Sequence, residues 1–484
     1  MTAFAMTENS MRDTRRATPP SFDPRLEPIA AKVDAGERLS LDDGRILFDT
    51  PDLWTVCDLA HRVRTRLHGD VTYYNVNRHL NYTNICALSC KFCAFHRKKG
   101  QDGAYEHSLD DIRAEARRAV EAGATEIHIV GGLHPWLPFE YYTDMMRTIR
   151  EVAPHLHIKA FTAVEIVHLA RISKRGKLKQ DGIRAVLQDL KDAGLGSLPG
   201  GGAEVFDDRV HDEAYKGKIR SDEWLDVHRI AHELGLNTNA TILYGHIESI
   251  EDRLHHMDLL RRAQDAALAR LGYESDATGA ITLTRPGAKL PSPTGRGAGG
   301  EGSSSTAPPA SPAGYFQTII PLPFFPDESE LEHLPGPSGL DNLRTLAAAR
   351  LMLDNFPHVK AFWIMQTLSM AQVMQQAGAN DLDGTVVWYD ITKLTQGVDG
   401  VATHQETTVW DLRKAIREAG FRPVERDTLY RPVVREGMAW RLEDPVPRFN
   451  NGIARLAGGW TAEEHRAFEE AIADCERIDP PTSC

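Results

Sequence analysis

From Val71 onward the chain alternates short, β-rich apolar runs with amphipathic helical stripes. Ser108-Leu-Asp-Asp111 has the form of a capping box, in which side chains satisfy the free N–H groups at a helix start. Ile112, Ala116, Ala119 and Val120 follow on one helical face, and Gly123 supplies a stop. The run Thr125–Val130 reads as a strand that ends at Gly131-Gly132. The same unit recurs. His157–Ala163 is a strand pattern; Ile183, Val186, Leu187 and Leu190 form a helical stripe closed by Gly194. A helix over Asp222–Leu234 leads through Gly235 to a strand over Thr238–Tyr244. Phe316–Leu322 and Val359–Ile364 are further strand patterns, with a helix over Leu340–Asp354 between them. Strand–helix alternation predicts an α/β fold of parallel strands joined by helical crossovers, as a barrel or a doubly wound sheet. In either, reactive groups gather at the C-terminal ends of the strands.

Three stretches break this pattern. Residues 1–25 are rich in Thr, Pro and Arg and read as a disordered N-terminus, followed by a polar helical stretch. Residues 266–314 are dense in Gly, Pro, Ser and Ala, a composition that buries too little apolar surface to offset ordering entropy, and read as a low-complexity, disordered insertion. It divides one catalytic domain into 26–265 and 315–435. Residues 436–484 read as a short appendage with a helical pattern over Ala462–Asp474.

Composition narrows the partners. The chain is 42% hydrophobic and 26% charged, with a net charge of −12, which argues against a nucleic-acid partner. No apolar run is long enough to span a bilayer, and no secretory h-region is present, so a cytoplasmic protein is expected. Six cysteines in a chain this long do not make a disulfide scaffold. Three of them crowd together, a spacing that suggests metal ligation in a reducing compartment. Cys57, Cys475 and Cys484 have no partner motif and read as ordinary thiols.

Cys86-Ala-Leu-Ser-Cys90-Lys-Phe-Cys93 is the sharpest chemical motif, on a loop that follows the first apparent strand, Val71–Val76, where a barrel presents its chemistry. Thiolates are soft ligands that favour iron–sulfur clusters or zinc. Three on one loop can reach three corners of a cubane and leave its fourth iron open to a substrate. The competing reading is a zinc site completed by His96 or a remote ligand, in a zinc-stapled binding protein with no catalysis. His228 and His232 are one helical turn apart but lack a HExxH pattern, and read as a helix face.

The C-x3-C-x2-C spacing, with Phe92 before the last cysteine, resembles the signature of the radical S-adenosylmethionine (SAM) superfamily. That resemblance implies a full or partial (β/α) barrel, a 4Fe–4S cluster on Cys86, Cys90 and Cys93, and SAM on the fourth iron. It further implies that Gly131 and Gly132 receive the SAM amino group, that Glu165 lies near the ribose, and that the segment Tyr244–Glu248 flanks the adenine, with Glu248 and Phe92 among the cofactor contacts. The longer strings NYTNIC, CKFCAFHR, GGLHP, SLPGGGAEVF, NATILYGHIE and RLMLDNFPHVKAFWIM resemble the aminofutalosine synthase family of the futalosine route to menaquinone. By that likeness the substrate is 3-[(1-carboxyvinyl)oxy]benzoate, SAM is a consumed co-substrate, and a flavodoxin or ferredoxin donates the electron. The sister dehypoxanthine futalosine cyclase and, more distantly, the deazaflavin cofactor synthases share some of these strings.

A substrate with two carboxylates calls for cationic or hydrogen-bonding groups, for which Arg78 and Asn81 are candidates. His134 and His246, each after a strand, are candidate acid–base groups, as is Glu204 in Pro199-Gly-Gly-Gly-Ala-Glu204. A structural histidine, and a purely structural glycine turn, are the alternatives.

Overall fold

The computed structural model describes residues 22–286, 313–385 and 406–443, together with the backbone of 394–395 and 402–403. Of the N-terminus expected to be disordered, 1–25, residues 1–21 lie outside the described residues, as does the helix over Ala462–Asp474, whereas Phe22–Arg25 are described and Asp23 is buried. The chain divides into two units, Met1–Trp440 and Arg441–Cys484, and everything below concerns the first.

Three helices open it: α1 (Leu26–Ala35), α2 (Leu41–Asp49) and α3 (Leu53–His68). Strand β1 (Val71–Asn75) follows, and after a break at Val76 comes β2 (Asn77–Leu80). Then come α4 (Leu109–Glu121), β3 (Glu126–Ile129), α5 (Phe139–Val152), β4 (His157–Ala160), α6 (Ala163–Ile172) and α7 (Gln180–Ala193). They are followed by β5 (Ser197–Leu198), α8 (Asp208–Ala214), α9 (Ser221–Glu233), β6 (Asn237–Tyr244) and α10 (Ile250–Arg270). Next are β7 (Phe316–Pro323), α11 (Gly339–Met352), β8 (His358–Val359), α12 (Trp363–Gln366), α13 (Leu368–Met374) and β9 (Asp381–Gly384). The short antiparallel pair β10 (Leu394–Thr395) and β11 (Ala402–Thr403) precedes α14 (Val409–Glu418) and β12 (Arg422–Glu425).

Strands β2 to β8 pair in sequence order, all parallel, and curl into a half-barrel. The expected α/β architecture is therefore the observed one. Capping boxes at Ser40, Ser108, Thr162 and Ser249 start four of the helices, the second as its sequence predicted. Ile112, Ala116 and Ala119 are buried as expected, whereas Val120 is exposed at the helix end.

Four expectations about elements need correction. The run Val71–Val76 does not supply the barrel strand before the cysteines. β1 instead joins β9 and β12 in a separate three-stranded parallel sheet, and the barrel strand is the polar β2. Val359–Ile364 is a strand only at its start, because Trp363 already begins α12. Likewise Ala163 is helical rather than the end of β4. Finally, order extends into the expected insertion. Helix α10 runs on to Arg270, and Ile281 and Leu283 are buried against Leu268 and Tyr315. Asp265 and Asp354 hold this return strand of chain: Asp265 accepts from Ile281 N–H (2.9 Å) and Asp354 from Thr282 Oγ1 (2.8 Å). Residues 287–312 of the insertion lie outside the described residues.

Candidate active site

The cysteine loop leaves the C-terminal end of β2, where a barrel of this type presents its chemistry. Its backbone is fixed from several sides. Cys86 N–H donates to Arg97 O (3.0 Å), Ala87 N–H to Leu133 O (2.9 Å) and Lys91 N–H to Ala214 O (2.9 Å). The Lys98 ammonium donates to three loop carbonyls, Cys86 and Leu88 at 2.9 Å and Ala87 at 3.3 Å. Leu133 N–H points at Cys86 Sγ, 3.4 Å away.

Gly132 explains the loop's position. A Cβ there would sit 2.3 Å from Ile85 O, so only glycine lets the end of β3 approach the loop this closely. Gly132 N–H donates to Thr83 O (2.8 Å), tying the two segments together.

All four described cysteines are free thiols. Cys90 is buried and Cys86 and Cys93 are partly buried. Burial pushes the Cys90 thiol up to about 12, against the pull of the Lys218 ammonium. Lys218, between α8 and α9, bonds the Glu204 carboxylate and lies 5.2 Å from the centre of the Phe92 ring. Its ammonium is held above the usual lysine range despite burial, chiefly by Glu204 and the neighbouring Cys90. Phe92 in turn packs edge-on against Tyr215, with centroids 5.9 Å apart. Glu204 itself sits at φ 48°, a left-handed conformation that a non-glycine residue adopts only under constraint.

The donor set fits an iron–sulfur cluster: three unpaired thiols on one loop with hydrogen-bond donors aimed at it. Among the described residues no three His, Cys, Asp or Glu side chains converge on a point that could hold a single ion. A cubane takes each thiolate on a different iron and does not need such convergence. His96, the candidate fourth ligand of the zinc reading, places Nδ1 2.8 Å from Cys93 O.

Sequence and structure comparisons agree with this geometry. A model of the radical SAM superfamily matches residues 80–260, and one of the CofH/MqnC C-terminal region matches 313–436. The chain is 41% identical over 415 residues to the aminodeoxyfutalosine synthase of Thermus thermophilus, covering 85% of this chain and 96% of that one. The enzyme of that name from Streptomyces coelicolor is 39% identical, over 87% and 96% of the two chains. The chain belongs to the aminodeoxyfutalosine synthase family of radical SAM enzymes. A 5-amino-6-(D-ribitylamino)uracil–L-tyrosine 4-hydroxyphenyl transferase from Methanopyrus kandleri is 33% identical, over 84% and 95% of the two chains. Among solved structures, methylornithine synthase matches with a TM-score of 0.57 at 16% identity, over 82% of this chain and 97% of that one, a likeness of fold.

For an aminodeoxyfutalosine synthase family member, a 4Fe–4S cluster and SAM are what the family implies. The remaining expected site residues gather at the same end of the sheet, but most carry structural duties. Glu165 is the N3 residue of the capping box of α6. One of its oxygens accepts from Thr162 N–H (2.7 Å) and Oγ1 (2.8 Å), the other from Gly131 N–H (3.0 Å) and Tyr82 OH (2.9 Å). Glu248 does the same after β6, accepting from Gly245 N–H (2.6 Å), His246 N–H (2.9 Å) and Arg253 Nε (2.8 Å). Both carboxylates thus clamp the loops that frame the site.

His134 is buried. Its Nδ1 accepts from Leu137 N–H (3.0 Å) and Trp136 N–H (3.3 Å), and its Nε2 lies 2.8 Å from the Glu106 carboxylate. Burial lowers its pKa. Through these bonds it staples the loop after β3. His246 is similarly held, with Nε2 3.2 Å from Leu243 O and Nδ1 3.3 Å from Glu248. Arg78 points away from the barrel interior and pairs with Glu115 of α4 at 2.6 Å, a tie between sheet and helix. Asn81 donates to Val130 O at 2.9 Å and likewise braces the strand ends. His228 and His232 are buried core residues, as expected. His228 stacks 3.8 Å from Trp224, and His232 bonds Thr238 Oγ1 at 2.8 Å. Lys218 and Lys98 are the site residues the sequence did not announce. Lys98 stands in the cysteine string itself, but Lys218 has no local motif.

Glu165 yields a pH prediction. Burial raises its carboxyl from the usual 4.5 to about 7, against the four hydrogen bonds that favour the charge. A carboxyl raised on folding stabilises fully below its unfolded pKa, and that contribution is lost as pH rises through the folded value. Wild-type unfolding free energy should therefore carry a loss of roughly 3 kcal/mol between pH 4.5 and 7 that Glu165→Gln lacks. Urea melts across that window check it through the difference in slope, since the amide also misplaces a donor and shifts the offset.

Proposed function

We propose that this enzyme joins the 5′-deoxyadenosyl group of SAM to 3-[(1-carboxyvinyl)oxy]benzoate, with rearrangement and loss of a carboxyl group, giving 6-amino-6-deoxyfutalosine. The observation that carries this reading is full-length similarity to two enzymes named for that product, joined to a free three-cysteine loop at the mouth of the half-barrel. Cys86, Cys90 and Cys93 would hold the cluster, which with SAM supplies a carbon-centred radical when reduced by a flavodoxin- or ferredoxin-like donor.

The chain's own residues do the rest. The Gly131-Gly132 turn packs closely against Tyr82 and Ile85, and Phe92 packs against Tyr215. Lys218 places a positive charge next to Cys90 while Glu204 fixes it in position. The buried pairs Lys159–Glu126, Lys360–Asp383 and Arg426–Asp381 would hold the barrel interior in one arrangement and so favour a single substrate pose. Among the described residues no helix is long and apolar enough to cross a membrane. The competing activity is that of the tyrosine-dependent 4-hydroxyphenyl transferases, to which the chain is also similar.

Reconstituted enzyme incubated anaerobically with SAM, reductant and the enolpyruvyl benzoate should yield a product of the mass of the adenosyl adduct less carbon dioxide. Production of only free 5′-deoxyadenosine, or turnover with tyrosine and the ribityl pyrimidine instead, would overturn the reading.

A further inference from the structure

Below the cysteine loop, the inner face of the half-barrel carries a polar floor that none of the roles above uses. Arg78 points outward to α4, so its neighbours Asn77 and His79 point inward. Register places Asn77 beside Glu126 and His79 beside His128. The His79 and His128 rings stack with centroids 4.5 Å apart and planes 29° apart. Beneath them, Glu126 accepts from Lys159 Nζ (2.8 Å) and Thr428 Oγ1 (2.7 Å), while Lys360 pairs with Asp383 (2.7 Å).

The floor is closed except at one side chain. Glu126, Lys159, Lys360 and Asp383 are at most 6% exposed, whereas the His128 side chain keeps 21%. His128 lies two positions before Val130 on the strand that ends at Gly131-Gly132, hence directly below the candidate cofactor turn. On the facing strand β7, Ile320 and Leu322 are only partly buried, although α10 and α11 cover the outside of this part of the sheet. A partly exposed imidazole, with partly buried apolar side chains on another strand of the same half-barrel, suits an aromatic ring with a polar end.

The chemistry of the ring selects that polar end. Burial, His79 and the lysines at 159 and 360 all disfavour a proton on His128, and only Glu126, whose carboxylate lies 4.0 Å from Nδ1, opposes them. The ring is thus neutral and keeps an N–H to donate to an acceptor such as a carboxylate oxygen, with the paired Lys159 and Lys360 ammoniums nearby.

We propose that His128, backed by His79 and the Lys159–Glu126 pair, is the carboxylate-binding residue at the base of the substrate chamber and takes an aromatic carboxylate of the benzoate class. This rests on the proposed function for the identity of the full substrate, and on the floor alone for the carboxylate.

The test is binding of three ligands to SAM-loaded, reconstituted enzyme by calorimetry: the enolpyruvyl benzoate, 3-hydroxybenzoate and 3-hydroxybenzamide. Wild type should prefer the acid to the amide. His128→Phe, which keeps a ring for the stack but no N–H, should bind both acids about 10- to 100-fold more weakly and lose the preference over the amide. His128→Gln, which restores a donor, should recover much of the affinity, a rescue that a merely structural role would not give. Equal acid binding by wild type and His128→Phe, or no acid binding by wild type, overturns the proposal. Adduct formation with His128-independent binding would leave the proposed function standing and remove this residue from it. Binding of 3-hydroxybenzoate that depends on His128, without turnover of the enolpyruvyl compound, would do the reverse.

Discussion

Replacing Cys90 by alanine should give a folded, iron-poor protein that cleaves no SAM. Cys90 is the buried member of the three, beneath Lys218 and Phe92, and a methyl group leaves the surrounding contacts nearly unchanged. The loop itself is held by backbone bonds and by Lys98, none of which needs the sulfur. Stability should therefore change by no more than about 1 kcal/mol. A cubane cannot lose one of only three protein ligands and stay anchored, so iron should fall well below the roughly four atoms per chain of the wild type. Reductive SAM cleavage should fall by at least about a thousand-fold, equivalent to some 4 kcal/mol of barrier. Iron assay and 5′-deoxyadenosine release read the two effects separately. Retained cleavage with Cys90→Ala would show that the ligand set is different.

The second large effect concerns stability. Glu126 and Lys159 face one another at 2.8 Å in the barrel interior, with side chains 1% and 4% exposed. The nearby lysine and its neighbouring cations hold the Glu126 carboxyl well below the ordinary range, against burial. Glu126→Ala strips the ammonium of its partner and orphans Thr428 Oγ1. Breaking one side of a buried pair costs about 3–5 kcal/mol, because a charge is left without water or counter-ion. Replacing both members, as Glu126→Leu with Lys159→Met, removes the orphaned charge and should cost markedly less than Glu126→Ala alone. Urea midpoints of the three proteins decide it. A single variant no worse than the double would show that the pair is solvated in solution.

The parts of this molecule legible in its sequence are those with local causes. The capping box at Ser108 and the apolar runs Thr125–Val130 and Thr238–Tyr244 gave β3, α4 and β6 close to their observed positions. The cysteine loop was legible because three soft ligands in eight positions have few other uses. What escaped was set by topology. Strand β2, Asn77-Arg-His-Leu80, has no apolar pattern, because its inner face meets the polar floor and its outer face meets Glu115. Strand β5 is two residues long and hidden before a glycine run. Arg78 looked like a substrate ligand because its partner is 37 residues away on a helix that only the fold brings near. His134, an expected acid–base group, and Glu165 and Glu248, expected cofactor contacts, each also close a loop through their hydrogen bonds. The position of a polar residue at a strand end was readable; whether its hydrogen bonds were already filled was not.

The most direct measurement is electron paramagnetic resonance of the reduced, reconstituted protein with SAM labelled at its amino nitrogen. The account predicts a cluster signal that shifts when SAM is added and that acquires a hyperfine coupling to the labelled nitrogen. A signal indifferent to SAM, or a reconstituted protein that holds no reducible cluster, would contradict it.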